Sequence, residues 1–253
     1  MKADKMLTPN ELIRYDRQLK IPELGEEGQI KLKNSHAVII GIGGLGCASA
    51  TYLTAAGIGR ITLVDFDVVE LSNLNRQVLY WEEDIGKKKV IVAQRKLSKL
   101  NPGSKIIPLF DKITEENVLR IIGEPHVVLD GLDNFASRLI VNSACVKRKV
   151  PYIHGGVGRF RGLVTTIIPG ETPCLACIYP EKTEQREGAG VLGLVPAVVA
   201  NLQALEAIKL ILGQRSSLAG KLLRFNGNDM TFRVDEIKRN KSCMVCSPGL
   251  LNT

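Results

Sequence analysis

Aromatic side chains are scarce: one Trp, five Tyr and six Phe make up 5% of the 253 residues. Single-stranded nucleic acid is held on aromatic platforms set among cations. The short basic runs here, Lys87-Lys88-Lys89 and Lys147-Arg148-Lys149, carry no aromatics between them. The net charge of +8 therefore reads as Lys-rich solvated faces or attraction to an acidic or phosphate-bearing partner, and a nucleic-acid surface is not expected. Histidine is rarer, with three. His36, His126 and His154 abut or lie in predicted strands without cluster spacing, so core or strand-edge roles are expected. No uninterrupted apolar run reaches the ~18 residues of a spanning helix. The richest stretch, Val191 to Leu212, is broken by Pro196, Asn201, Gln203, Glu206 and Lys209 and reads as an amphipathic core helix. The opening MKADKMLTPN lacks the apolar centre of a secretory signal, so a cytoplasmic protein without a membrane role is expected. Repeats and low-complexity stretches are absent.

The composition, 45% apolar and 24% charged, is that of a globular protein. A chain of this length buries about 70–75% of its unfolded surface, so the core needs no covalent staple.

The chain is organised around AVIIGIGGLG at 37–46. Ala37 to Ile40 is a β-branched apolar run that reads as a buried strand. Gly41, Gly43, Gly44 and Gly46 then fall in G-x-G spacing ahead of an apolar helix, Leu45 to Ala56. Glycines let the backbone approach a phosphate, and the helix N-terminus adds unpaired amides and a positive dipole end. A second strand, Arg60 to Val64, ends at Asp65, 19 residues past Gly46, where a carboxylate can accept ribose hydroxyls. A nucleotide site is the reading; the competing one is a tightly packed strand–helix turn that binds nothing.

Before this unit, Asn10 to Leu19 reads as a short helix carrying Arg14-Tyr15-Asp16-Arg17-Gln18, by default a solvated face. Glu26 to Leu32 reads as another. After it, Leu71 to Gln77 is too polar for a strand and suits a loop. Gly86 to Leu100, Thr114 to Ile122 and Asn134 to Lys149 read as helices. Ser104 to Leu109, Val127 to Asp130 and Pro151 to Gly156 read as strands. Asp133, at the carboxyl end of a parallel strand, lies where such sheets bind ligands; it either contacts Mg²⁺ at a phosphate or caps the next helix. The rhythm then changes. Arg161 to Ile168, Lys221 to Phe225 and Met230 to Val234 read as antiparallel strands around a long helix, Ala197 to Leu212.

Six cysteines are present. Cys174-Leu175-Ala176-Cys177 and Cys243-Met244-Val245-Cys246 each bring two thiolates to one side of a turn, and two such turns close a tetrahedral Zn²⁺ site. Thioredoxin-like redox pairs are the alternative, without a thioredoxin-like context around either pair. Cys47 and Cys145 fall on predicted core helices and read as packing residues.

The ordered set RYDRQ at 14–18, GIGGLG at 41–46, DFD at 65–67, LSNLNRQ at 71–77, Lys89, LDGLDN at 129–134, CLAC at 174–177, LQALEAIKLI at 202–211 and CMVC at 243–246 resembles the ubiquitin-activating-enzyme-like adenylyltransferases, the MoeB/ThiF/HesA family, over nearly the whole chain. The resemblance implies a Rossmann-like, mostly parallel α/β sheet flanked by helices, with a mixed C-terminal part holding structural zinc. One domain would span 1–253: a helical arm to 35, a nucleotide-binding half over 36–156, and a carrier- and zinc-binding half over 157–253. It implies Mg·ATP as substrate and a small ubiquitin-fold sulfur carrier with a C-terminal Gly-Gly as partner, in molybdopterin, thiamine or related synthesis. By motif match Asp65 would hold the ribose, Asn73, Arg76 and Lys89 the phosphates, and Asp133 the Mg²⁺. Asp67, Gln77 and Asn134 would complete the nucleotide site. Arg14 would reach the γ-phosphate from the other subunit of a homodimer, for which the apolar faces of helix 197–212 and strand 161–168 are the expected surfaces. The loop Thr183 to Val191 departs from thiamine-type members. It has Arg186 where they carry a Cys, so covalent capture of the carrier there is not expected. Sulfur would come from a separate donor protein. Three other readings remain: adenylation of a modified tRNA base, a nicotinamide-dependent dehydrogenase that leaves Arg76, Lys89 and Asp133 unexplained, and a catalytically dead binding module, against which the intact polar set argues.

Overall fold

The computed structural model describes residues 6–179 and 190–247. The 183–191 loop discussed above falls mostly outside them. An eight-stranded sheet in the order β3-β2-β1-β4-β5-β6-β7-β8 runs through the chain. Its first five strands are parallel: β1 (His36–Ile40), β2 (Arg60–Val64), β3 (Lys105–Leu109), β4 (Val127–Asp130) and β5 (Tyr152–Gly158). The last three, β6 (Arg161–Ile167), β7 (Lys221–Asn226) and β8 (Thr231–Glu236), continue it antiparallel. This is the α/β sheet with an antiparallel C-terminal part that the sequence implied.

Alternation along each strand builds two cores. From β1, Ala37 and Ile39 join one apolar cluster while Val38 and Ile40 join the other. β2 and β4 divide the same way, Leu63 and Leu129 to the first and Val64 and Val128 to the second. Helices cover both faces. A helical arm opens the chain as α1 (Pro9–Arg14), α2 (Asp16–Leu19) and α3 (Gly25–Lys33). α4 (Gly44–Ala56) and α5 (Lys89–Leu100) follow β1 and β2. α6 (Val118–Ile122) and α7 (Phe135–Arg148) pack on the second cluster. α8 (Leu175–Ile178) carries Cys177, with Cys174 as its N-cap, and α9 (Leu194–Leu212) lies against α4, β4, β5 and β6. α9 is long and apolar enough to cross a membrane, but its seat under the sheet makes it a core helix.

Helix starts differ from the sequence reading where single residues intervene. The 10–19 helix divides at Tyr15, whose buried hydroxyl accepts from Asn101 Nδ2 at 2.8 Å. α5 begins at Lys89 rather than Gly86, because Gly86 has φ +82° and Lys88 bridges to Val68 instead. α6 begins at Val118, after a turn in which Thr114 and Asn117 bond each other's backbone. α9 begins at Leu194, ahead of Pro196, which a first turn tolerates.

Candidate functional site

The carboxyl ends of β1, β2 and β4 open onto a cleft of about 660 Å³. Its floor is the glycine loop. Gly41 takes φ +88°, and a Cβ there would stand 2.5 Å from Gly131 O. The turns after β1 and β4 thus pass at backbone distance. A Cβ on Gly46 would lie 1.9 Å from Gly41 O, so Gly46 is a packing glycine behind the loop and does not line the cleft. α4 starts with Gly43 as cap and no side-chain hydrogen bond to its first-turn amides. Those amides are the donors a phosphate uses.

Asp65 follows β2. Its Oδ2 accepts from Ile42 N at 2.6 Å and its Oδ1 from Asp67 N at 2.8 Å, which aims the carboxylate across the loop. Burial pushes its pKa above the ordinary carboxylate range against these two amides and Lys89. Lys89 is buried, with Nζ 2.8 Å from Asp67 Oδ2. Arg76 is half-buried and donates to Ser72 O at 2.9 Å. Gln77 is buried beside Gly43, and its Oε1 has no hydrogen-bond partner among the described residues. Past β4, Asn134 caps α7 by accepting from Ser137 N at 2.9 Å and also donates to Asp133 Oδ1 at 3.3 Å.

The cleft is therefore lined together by Gly41, Gly43, Gly44, Asp65, Asp67, Arg76, Gln77, Lys89, Asp133 and Asn134. Two proposed contacts lie outside it. Asn73 is buried behind the wall, accepting from Glu70 N at 3.2 Å and so shaping the turn that carries Arg76. Arg14 donates to Leu100 O at 3.0 Å, at the far end of α5.

A buried network beneath the cleft was not singled out from the sequence. Asp130, the last residue of β4, accepts from His154 Nδ1 at 2.5 Å and from Leu132 N at 2.9 Å. Arg138 Nε stands 3.1 Å from it. Burial alone would raise the Asp130 pKa, but the Arg138 charge and the His154 hydrogen bond hold it below the ordinary value. Burial depresses the His154 pKa more than Asp130 raises it, so the imidazole is neutral and donates from Nδ1. Gln203 of α9 donates to Asp130 O at 2.9 Å and Ile153 O at 3.0 Å. The only sequence signal was a second acid in LDGLDN; its partners come from tertiary structure.

The four paired cysteines converge outside the lining of this cleft. Their sulfurs lie within 4.8 Å of one another, with Cys174–Cys243 at 3.7 Å and Cys177–Cys246 at 3.4 Å. A tetrahedron with Zn–S bonds of about 2.3 Å has S···S edges of about 3.8 Å, so the donor set fits zinc. Cys47 and Cys145 are fully buried; burial pushes the Cys47 thiol up to about 12 and the Cys145 thiol upward as well. Both are inert packing residues.

The ThiF family model matches residues 15–245. The chain belongs to the ThiF family. It is 42% identical to the heterocyst protein HesA of Trichormus variabilis, over 95% of this chain and 90% of that one. It is 41% identical to a sulfur carrier protein adenylyltransferase of Thermus thermophilus, over 94% and 92%. Among solved structures, Escherichia coli MccB with ATP superposes with a TM-score of 0.83 at 28% identity, over 92% of this chain and 73% of that one. The enzyme class of this chain is that of the Thermus thermophilus relative, an adenylyltransferase.

Proposed function

We propose that this ThiF-family chain adenylates the C-terminal glycine carboxylate of a small ubiquitin-fold sulfur carrier. The observation that carries the reading is one cleft lined by the glycine loop, a ribose-type acid, phosphate-type cations and Asp133. The carboxylate is already ionised and needs no general base. Its oxygen attacks the α-phosphorus of ATP, the bond to the bridging oxygen of pyrophosphate breaks, and an acyl-adenylate remains. The protein's task is to hold two anions together and to neutralise charge on the departing pyrophosphate. Asp65 accepts the ribose hydroxyls, the α4 amides and Gln77 meet the phosphates, and Arg76 and Lys89 balance their charge. Asn73 positions the Arg76 turn. Asp133 with Asn134 would hold Mg²⁺, which supplies further charge neutralisation when bound. A second copy would bring Arg14, and a separate donor protein would deliver the sulfur, in molybdopterin, thiamine or related synthesis. A zinc-type set of four cysteines and two buried, unpaired ones, with no disulfide among them, suits a reducing cytoplasm.

ATP–pyrophosphate exchange against a panel of purified Gly-Gly carriers tests this. Exchange should depend on one carrier and fall about 10²–10³-fold in Asp133→Ala and in Arg76→Ala. Carrier-independent exchange, or near-full turnover in both variants at saturating ATP, would defeat the reading.

A further inference from the structure

Arg138 lies one turn inside α7, with its side chain 13% exposed on the cleft wall. A guanidinium has five N–H donors in one plane. Here three of them face protein. Nε is 3.1 Å from Asp130 Oδ2, out of line for a hydrogen bond. Nη2 donates to Leu132 O in a short contact and to Gly155 O at 3.2 Å. These contacts come from the turn after β4, from β4 itself and from β5, so they fix the plane of the group. Nη1 has no hydrogen-bond partner among the described residues. A nearly buried, oriented guanidinium with one amino group left over in a cleft is suited to a carboxylate or phosphate oxygen.

Topology decides between those two anions. Asp65 and the glycine loop follow β2 and β1, and the Mg²⁺-type Asp133 and Asn134 follow β4, between them and Arg138. Arg138 bridges β4 to β5, on the opposite side. In the order β2-β1-β4-β5 it stands up to three strand spacings from Asp65, roughly 14 Å. That is the side on which β6 to β8 and α9 continue the molecule; a polypeptide carboxylate that reaches Arg138 from there leaves the Asp65 side to the nucleotide. The partner charges fit as well. Lys89 is engaged with Asp67 at 2.8 Å, on the nucleotide side. Asp130 cancels much of the long-range charge of Arg138, which leaves short-range hydrogen-bond geometry to select the ligand.

We propose that Arg138, through Nη1, binds the terminal carboxylate of the polypeptide substrate and holds it at the α-phosphate. The inference rests on the carrier-adenylation reading but adds a residue and a recognition role to it.

The test uses the full-length protein saturated with a non-hydrolysable ATP analogue. A Gly-Gly-terminated carrier and the same carrier ending in a carboxamide are titrated by calorimetry. Wild type should prefer the carboxylate by about 10- to 100-fold, the range of a charge-assisted hydrogen bond. Arg138→Gln should abolish that preference with ATP affinity unchanged, and Arg138→Lys should restore part of it. Full preference in Arg138→Gln would overturn the inference, as would loss of ATP affinity in both variants, which would mark a structural role. A wild type that binds both carriers equally would sink the Arg138 role and leave adenylation standing. A wild type that binds ATP but neither form of any carrier in the panel would remove the carrier reading itself, and this inference with it.

Discussion

Three buried or half-buried titratable residues, His36, His154 and Asp130, contribute to how the protein responds to acid. Burial, the Arg60 charge and His126 push His36 down to about 4, and burial depresses His154. For both, the folded pKa lies below the unfolded 6.5. The unfolded chain then takes up protons first as pH falls through 6.5. Stability is complete above that value and is lost below it, by up to about 1.4 kcal/mol per pH unit for each such proton. Asp130 acts lower: its folded value is below the unfolded 3.8, so its contribution is present above that value and disappears beneath it. We expect the urea midpoint of wild type to fall between pH 7 and pH 5. The double variant His36→Gln, His154→Gln should show a flatter profile over the same interval, whatever its absolute stability. Parallel profiles would show that these histidines titrate alike folded and unfolded. Little of this was legible beforehand. Asp65, Arg76, Lys89 and Asp133 stand in motifs whose spacing maps onto a strand, a turn and a helix start. Arg138, His154 and Gln203 meet Asp130 across 8, 24 and 73 positions, and no local periodicity joins residues that far apart.

Among the elements, strands were easier to place than helix ends. Short runs rich in Val, Ile and Leu define β1, β2 and β4: Ala37–Ile40, Ile61–Val64 and Val127–Leu129. Helix starts depend on single contacts, such as the Val68 bridge that delays α5. The cysteine cluster is the extreme case. α8 has four residues, too few to be helical alone. It is held by Leu175 N donating to Asn142 Oδ1 at 2.9 Å, and the second cysteine turn by Arg239 donating to Gly170 O at 3.0 Å and to Cys246 O. Closed tetrathiolate zinc contributes folding energy rather than chemistry. Purified protein should contain one Zn²⁺ per chain. Chelation should lower its melting temperature and leave ATP affinity intact, since Asp65, Lys89 and the glycine loop sit on other elements. Elemental analysis finding no zinc, together with four freely titratable thiols, would refute the site.

At the scale of the whole molecule the question is what Arg14 does. α1 and α2 are pinned to their own chain by Tyr15 at Asn101 and by Gln18 donating to Ala56 O at 3.1 Å. Both anchors lie at the carboxyl ends of α4 and α5, whereas the cleft lies at their amino ends. α5 has 12 residues, so Leu100, which Arg14 touches, stands about 17 Å from Lys89. That is farther than one side chain extends. Arg14 therefore cannot serve its own cleft from this position, and we propose that it serves the cleft of a second copy. The surface for such a dimer differs from the sequence expectation. β6 is mostly buried in its own sheet, so strand 161–168 offers little. Ile13, Leu194 and Leu205 remain, at 77%, 71% and 54% exposure. Two inactive variants should then rescue each other. Mixed Arg14→Ala and Asp133→Ala subunits form heterodimers in which one of two clefts has both wild-type residues. Equal mixing gives about half heterodimers, so about a quarter of wild-type pyrophosphate exchange should return. No recovery after mass-verified subunit exchange would leave Arg14 without a role in the reaction. A protein that sediments as a monomer under assay conditions would end the proposal sooner.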